Sequence, residues 1–263
     1  MGAGKQQVRM RWAAIAALLL CGLLLVLAGC RETDPSLGRI QQVGVLRVGL
    51  DPSWPPFEYV DQEGEIAGLD VDLARAIGRR LGVDVHLVVS GWEGLYAALA
   101  AGQFDVVISA LPYDPWRTEE VAYSITYFNA GPVVVASLDG EVSEERDLDG
   151  RVVHVEFGSE GDVQARRLQR KMPELEIVPH DTPQEALEAA VADPGSAAIA
   201  DAVSARLYIR DDPRLQIVGD PLYDESYVMA VPLEARSLQR AIDQALIEMR
   251  ESGELGRLLD RWL

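Results

Sequence analysis

Cysteine, histidine and lysine are all scarce in this chain of 263 residues. The two cysteines, Cys21 and Cys30, both fall in the first thirty residues, so no disulfide can staple the remainder and its stability must rest on packing. His86, His154 and His180 stand far apart with no ligand at metal-binding spacing, which argues against a metal centre read from sequence. Lys5 and Lys171 are the two lysines, and every other cation is arginine. There is no phosphate-binding Gly-rich loop ending in Gly-Lys, no Gly-x-Ser-x-Gly elbow and no His-Glu-x-x-His pair. Positive charge is short overall: 24 basic residues face 42 acidic ones, a net charge of −18. Such a balance disfavours nucleic acid and anionic lipid as partners.

What is present begins with a leader. Lys5, Arg9 and Arg11 precede an apolar run from Ala13 to Val26, and Leu27-Ala28-Gly29-Cys30 follows. A basic segment, an apolar segment and small residues are the parts of a secretory signal. Eighteen residues from Trp12 to Gly29 would barely span a bilayer. The Leu-Ala-Gly-Cys ending resembles the lipobox of bacterial lipoproteins. That resemblance implies cleavage before Cys30, a lipid on its thiol, and an extracytoplasmic protein anchored to the bacterial membrane. The leader holds three cations and no acid, so the charge beyond it is 21 minus 42, or −21. Its 234 residues and the 48% hydrophobic content of the whole chain suffice for one large or two medium domains.

Past a polar tether at 30–36, strands and helices alternate. Val45 to Gly49 reads as a strand, and Asp51 to Glu58 as a loop, because Pro52, Pro55 and Pro56 interrupt any ladder. Leu69, Leu73, Ile77 and Leu81 recur at helical spacing and Gly82 follows as the cap. A strand over 83–89, a short helix over 92–101 and a buried strand over 104–109 complete a βαβαβ order, which implies a parallel sheet with helices on its faces. The pattern restarts with strands at 132–136 and 151–156, on either side of a charged linker over 140–150, and a helix near 161–172. A helix opens at Thr182-Pro183-Gln184-Glu185, a capping box with Pro in its first turn. A strand at 197–200, a helix at 202–210 and two amphipathic helices in the tail finish the chain. Two α/β units of similar size result.

The segments Leu46-Arg47-Val48-Gly49, Asp51 to Tyr59 and Gly68 to Leu73 resemble the opening of the family 3 extracellular solute-binding proteins, the capture subunits of ABC importers for polar amino acids. Gly91 to Leu95, Gly102 to Val106, the region of Arg117, Ala198 to Ala202 and Tyr227 to Val231 extend the resemblance to nearly the whole chain. It implies a two-lobed α/β fold of the periplasmic-binding-protein (type II, Venus-flytrap) class with a two-strand hinge. The signal peptide would occupy 1–29 and the tether 30–36. Lobe I would comprise 37–128 plus 227–263, and lobe II 129–226. The hinge would run near Phe128 to Val133 and near Pro221 to Tyr227. The resemblance further implies no catalysis, no cofactor, a monomer, and an ABC permease and ATPase as partners. Closure on a ligand that touches both lobes is the signal such a pair can transmit.

Carried over residue by residue, the resemblance assigns Arg117 to a ligand α-carboxylate, for which a planar guanidinium is suited. Asp201 would take the α-ammonium, although an Asp after a buried strand also reads as a helix N-cap. Trp54 and Trp92 match positions that sandwich the ligand side chain, and their faces attract cations. Asp51 matches an acidic position at the cleft mouth. Ser109, Ala110 and Ser159 match hydrogen-bonding positions. Two departures stand out. Ala110 and Pro112 replace residues that usually bear donors, and Pro112 has neither hydroxyl nor N–H. Glu160 puts a negative charge where a carboxylate would lie, which favours a ligand richer in positive charge. Some proteins of this fold are prephenate or arogenate dehydratases, and Glu160 and Asp162 would then be the acid candidates. A sensor acting through a separate receptor is a third reading.

Overall fold

In the computed structural model, which describes residues 34–263, the alternation read from sequence becomes two large sheets, with a small three-stranded one beside them. The leader and Cys30 lie outside the described residues, and the expectations attached to them with it. Helix α1 (Ser36–Val43) comes first, so Ser36 opens a helix where the sequence reads as tether. Strands β1 (Val45–Leu50), β5 (Asp84–Val89) and β6 (Val106–Pro112) then form a parallel trio in the order β5-β1-β6. Strand β14 (Ser226–Pro232) returns from far along the chain to pair antiparallel with β6. It also carries β7 (Val121–Tyr123) and β8 (Phe128–Asn129).

Helix α2 (Leu69–Leu81) covers this sheet. Leu69, Leu73 and Ile77 are fully buried, and Gly82 ends the helix in a left-handed cap at φ 73°. The segment 51–58 is not all loop. A small meander, β2 (Ser53–Trp54), β3 (Glu58–Val60) and β4 (Ile66–Ala67), pairs Ser53 with Tyr59 and Trp54 with Glu58. The prolines flank the paired positions instead of occupying them, so no ladder bond is lost. Gly68 then turns the chain at φ 133°, where an added Cβ would lie 2.1 Å from the Phe57 carbonyl oxygen.

The second sheet has the order β11-β10-β12-β9-β13. Its members are β9 (Pro132–Ser137), β10 (Val152–Glu156), β11 (Glu176–His180), β12 (Ala197–Asp201) and β13 (Leu215–Val218). The edge strands β11 and β13 do not show in the sequence reading; each is short and only partly buried, so neither has a sustained apolar run. Helices α4 (Glu160–Gln169), α5 (Pro183–Ala192) and α6 (Ala202–Asp211) accompany this sheet, while α3 (Leu95–Ala100) belongs to the first. The tail forms α7 (Arg236–Glu251) and α8 (Glu254–Trp262), which pack against α2. There Trp262 Nε1 donates to Asp72 at 3.0 Å.

Two crossings join the lobes. Residues 130 and 131 lead from β8 in the first sheet to β9 in the second, and 219–225 lead back from β13 to β14. The crossings are knitted together: Ala130 N donates to Glu225 O at 2.9 Å, and Asn129 Oδ1 accepts from Gly131 N and Glu225 N. Among the described residues, no helix is long and apolar enough to cross a membrane.

Candidate functional site

The carboxyl ends of parallel strands are where an open α/β sheet leaves room for a ligand. In the first sheet Asp51 follows β1, Trp92 follows β5, and Ala110 and Pro112 end β6. These ends converge on a cavity of about 350 Å³ lined by Asp51, Ser53, Trp54, Glu58, Trp92, Ala110, Pro112, Glu225 and Tyr227. Trp54 and Trp92 are 58% and 45% exposed, unusual for tryptophan, so their rings are surfaces and not core. Tyr227, on the lining, packs edge-on to the buried Phe57 at 5.2 Å between centroids, which fixes its ring.

Behind the wall lies a buried hydrogen-bonded cluster. Ser109 donates to Glu58 Oε1 at 2.8 Å and accepts from Asp51 N at 3.0 Å. Asp70 accepts from Ala110 N and, at 3.0 Å, from the Tyr127 hydroxyl. Ala110 has φ 41°, in the left-handed region that a residue with a Cβ adopts only at a penalty. It lies beside the register shift between Val228 and Ala230, and the twist turns its N–H inward to Asp70. Glu58 Oε2 and Asp70 Oδ1 receive no donor from elsewhere. Burial, and the adjacent Asp70, push the Glu58 carboxyl far above its ordinary range; burial raises Asp70 as well. A protonated Glu58 beside an ionised Asp70 is the state that satisfies both oxygens.

Of the residues singled out in the sequence, Asp51, Trp54, Trp92 and Ala110 share this cavity, with Ser109 directly behind it. Asp51 is held in place by accepting from Trp92 N at 2.7 Å. Arg117 is elsewhere. Its guanidinium lies 4.3 Å from the centre of the Tyr96 ring, 2.9 Å from Glu120 and 3.4 Å from Asp114. It lines a second cavity, of about 680 Å³, together with Arg39, Arg47 and Asp105.

The remaining candidates stand at the carboxyl ends of the parallel strands of the second sheet. Ser159 caps α4, accepting from Asp162 N, and Glu160 begins that helix and accepts from Gln164. Asp201 ends β12 and caps α6, accepting from Ser204 N at 2.8 Å and Val203 N at 3.1 Å. Asp162 is buried and paired with Arg166 at 2.8 Å. Glu160 and Asp201 both act electrostatically on Glu225, whose carboxyl is raised by burial first and then by these two charges.

Glu225, Glu58 and Tyr227 carry no role in the sequence reading. Glu225 lies in the irregular Asp-Glu-Ser stretch before β14, and only its place on the hinge marks it. The histidines are likewise less isolated than their spacing implies, since His154 Nδ1 lies 3.0 Å from His180 Nε2 on neighbouring strands. Among the described residues no group of three or more metal-binding side chains occurs.

Comparison with known proteins agrees with this architecture. The family of bacterial extracellular solute-binding proteins, family 3, matches residues 46–263. The arginine-binding extracellular protein ArtP of Bacillus subtilis (strain 168) is 28% identical over 222 residues, covering 82% of this chain and 85% of that one. Cyclohexadienyl dehydratase of Pseudomonas aeruginosa is 28% identical over 251 residues, covering 93% and 92%. Among solved structures, a mutant of ArgBP from T. maritima superposes with a TM-score of 0.52 at 34% identity, covering 86% of this chain and 98% of the other.

Proposed function

This chain belongs to the bacterial extracellular solute-binding proteins of family 3, and on that premise we propose that it captures a small organic cation, an amino acid or a relative of one, and delivers it to an ABC importer. The observation that carries this reading is the cavity itself. It offers two exposed tryptophan faces and the carboxylates of Asp51 and Glu225, and among the described residues no basic side chain lines it. A cation over indole is stabilised by about 0.5–2 kcal/mol per face, and a nearby carboxylate adds to this. Glu160 and Asp201 bring the second lobe's charge toward Glu225, so a bound cation would relieve repulsion among the three and favour closure. The arginine-binding name of ArtP agrees with a cationic ligand.

Thermal unfolding with and without candidate ligands tests the proposal. Occupancy at a hundred times Kd stabilises by about 2.7 kcal/mol, a rise of roughly 5–10 °C for a chain of this size. Neutral or acidic amino acids raising Tm more than arginine or lysine would refute it. We further propose that Cys30 bears a lipid anchor; Cys30→Ser should leave the protein uncleaved or in the soluble fraction. Unchanged processing and membrane retention would refute the anchor alone.

The dehydratase relative favours a second reading, turnover of prephenate. The acid candidates Glu160 and Asp162 both accept hydrogen bonds here, Glu160 from Gln164 and Asp162 from Arg166 and Gly158 N. Both side chains are thus engaged by neighbours in their own helix and its cap and not by a substrate cleft, so this reading is the weaker. Turnover of prephenate above the buffer rate would replace the first proposal.

A further inference from the structure

The two lobes also meet away from the crossings. Helix α8 belongs to the first lobe. Arg261 Nη1 and Trp262 Nε1 both donate to Asp72 of α2, at 3.1 and 3.0 Å, and the Trp262 ring stands edge-on to Tyr59 at 6.3 Å between centroids. At the other end of α8, Arg79 pairs with Glu254 at 3.4 Å, and Leu255 is buried in the core. Both ends of the helix are therefore fixed to α2. Its last turn then reaches the second lobe. The Trp262 carbonyl accepts from Arg210 Nη1 of α6 at 3.4 Å. Leu263, 3% exposed, shares a cavity wall with Ile209 of α6 and with Leu215 and Ile217 of β13. Leu263 and Leu215 belong to one buried apolar cluster, against which Ile209 and Ile217 pack.

We infer that Trp262 and Leu263 form a latch between the lobes, which holds the second lobe back from the ligand cavity and sets how readily the lobes close. The inference rests on the proposed capture by two lobes and adds a control to it. In this arrangement first-lobe residues and Glu225 of the return crossing line the cavity, while Ser159, Glu160 and Asp201 stand outside its lining. The latch contacts thus belong to a state in which the second lobe leaves the cavity open. Leu215 lies four residues before Gly219, where the return crossing begins, a lever of about 13 Å along a strand. Rotation of the second lobe about the crossings moves Leu215 and Ile217 against Leu263, whose helix stays with the first lobe. The seat is also incompletely filled, since these side chains border a cavity of about 450 Å³. Apolar groups facing a gap lose part of their attraction, so the contact is weaker than a close-packed core. A ligand that favours closure can therefore displace it.

The test measures the distance between the lobes without ligand. Full-length protein in detergent, carrying Cys21→Ser and Cys30→Ser, takes spin labels at Glu119→Cys and Asp181→Cys. Both positions are exposed and follow the carboxyl ends of β6 and β11. Pulsed electron resonance should show Leu263→Ala shifted toward shorter distances than the unsubstituted latch. Arg210→Gln, which removes the hydrogen bond and leaves the apolar seat intact, should shift the same way by less. Calorimetric titration with arginine should show at least threefold tighter binding in Leu263→Ala, because apparent affinity scales with the fraction of protein competent to close. Superimposable distance distributions in both variants, from protein that unfolds cooperatively, overturn the latch. Longer distances with weaker arginine binding overturn it too, since the contact would then support closure. Binding of arginine to none of the proteins refutes the proposed cation capture alone, and the distances still decide the latch.

Discussion

Replacing Glu58 by Gln probes the buried acid pair in isolation from ligand. In the unfolded chain Glu58 titrates in the ordinary carboxylate range. In the folded protein burial and Asp70 hold its proton to higher pH. Between those two values the folded state binds a proton that the unfolded state has released. Stability from this group is therefore full at low pH and is lost as pH rises toward the folded value, by about 1.4 kcal/mol per pH unit. The substituted glutamine is neutral at every pH, and its amide N–H can donate to Asp70 Oδ1 the hydrogen bond that the Glu58 hydroxyl supplies. Its carbonyl can still accept from Ser109. The variant thus keeps the contacts and removes the titration. Urea unfolding of both proteins from pH 5 to pH 8, followed by tryptophan fluorescence, should show a difference that grows in favour of Glu58→Gln. Two pH units inside the window are worth about 2–3 kcal/mol, or roughly 4–12 °C in Tm. Stability curves that run parallel across the whole range would refute the shared-proton pair, whatever their offset.

Asp105 gives the opposite sign. It is 5% exposed and accepts from Arg47 N, Nε and Nη2 and from Arg39, and these contacts outweigh its desolvation and lower its pKa. Asp105→Asn should lower stability by about 2 kcal/mol at neutral pH, measured by the same unfolding assay, with the deficit shrinking as acid titrates the wild-type carboxylate; an equal deficit at all pH values would show packing and not charge. Gly131→Ala should strain the hinge, because its Cβ would lie 1.9 Å from the Tyr223 carbonyl oxygen. A Tm drop of several degrees is expected, and an unchanged Tm would mean that the crossings are looser than their hydrogen bonds imply. Trp54→Ala and Trp92→Ala should each weaken cation binding about 2- to 30-fold in titration, from roughly 0.5–2 kcal/mol of cation–π attraction; undiminished affinity in both would remove the tryptophan faces from the site.

Local patterns were legible where they repeat. The α2 helix shows in Leu69, Leu73, Ile77 and Leu81, and its cap in Gly82, because side chains four apart share a face whatever they pack on. The strands β1, β6 and β12 show as apolar runs because both faces of a parallel sheet are covered. Asp201 announced itself as a cap by its position after such a strand, and the hydrogen bonds to Val203 and Ser204 are that cap. The edge strands β11 and β13 were silent because half-exposed edges need no continuous apolar stretch. The β2–β3 pair was hidden by prolines that stand beside the ladder and not in it.

The cavity marks the limit of such reading. Asp51, Trp54, Trp92 and Ala110 stood out as residue types in the sequence. Their union with Glu225 and Tyr227, more than a hundred residues away, depends on β14 returning to pair with β6. The same pairing turns Ala110 inward, and the wall behind it commits the hydroxyl of Ser109 to Glu58; the local fold of 114–120 sets Arg117 against Tyr96. By itself, then, the sequence determined the helices after the first, the central strands, the acidic balance and the aromatic candidates, since each follows from the periodicity or chemistry of neighbouring residues. Which of those candidates face one another, and which donors remain free for a ligand, was decided only in the tertiary structure, because a hydrogen bond depends on a partner's position in space and not on its place in the chain.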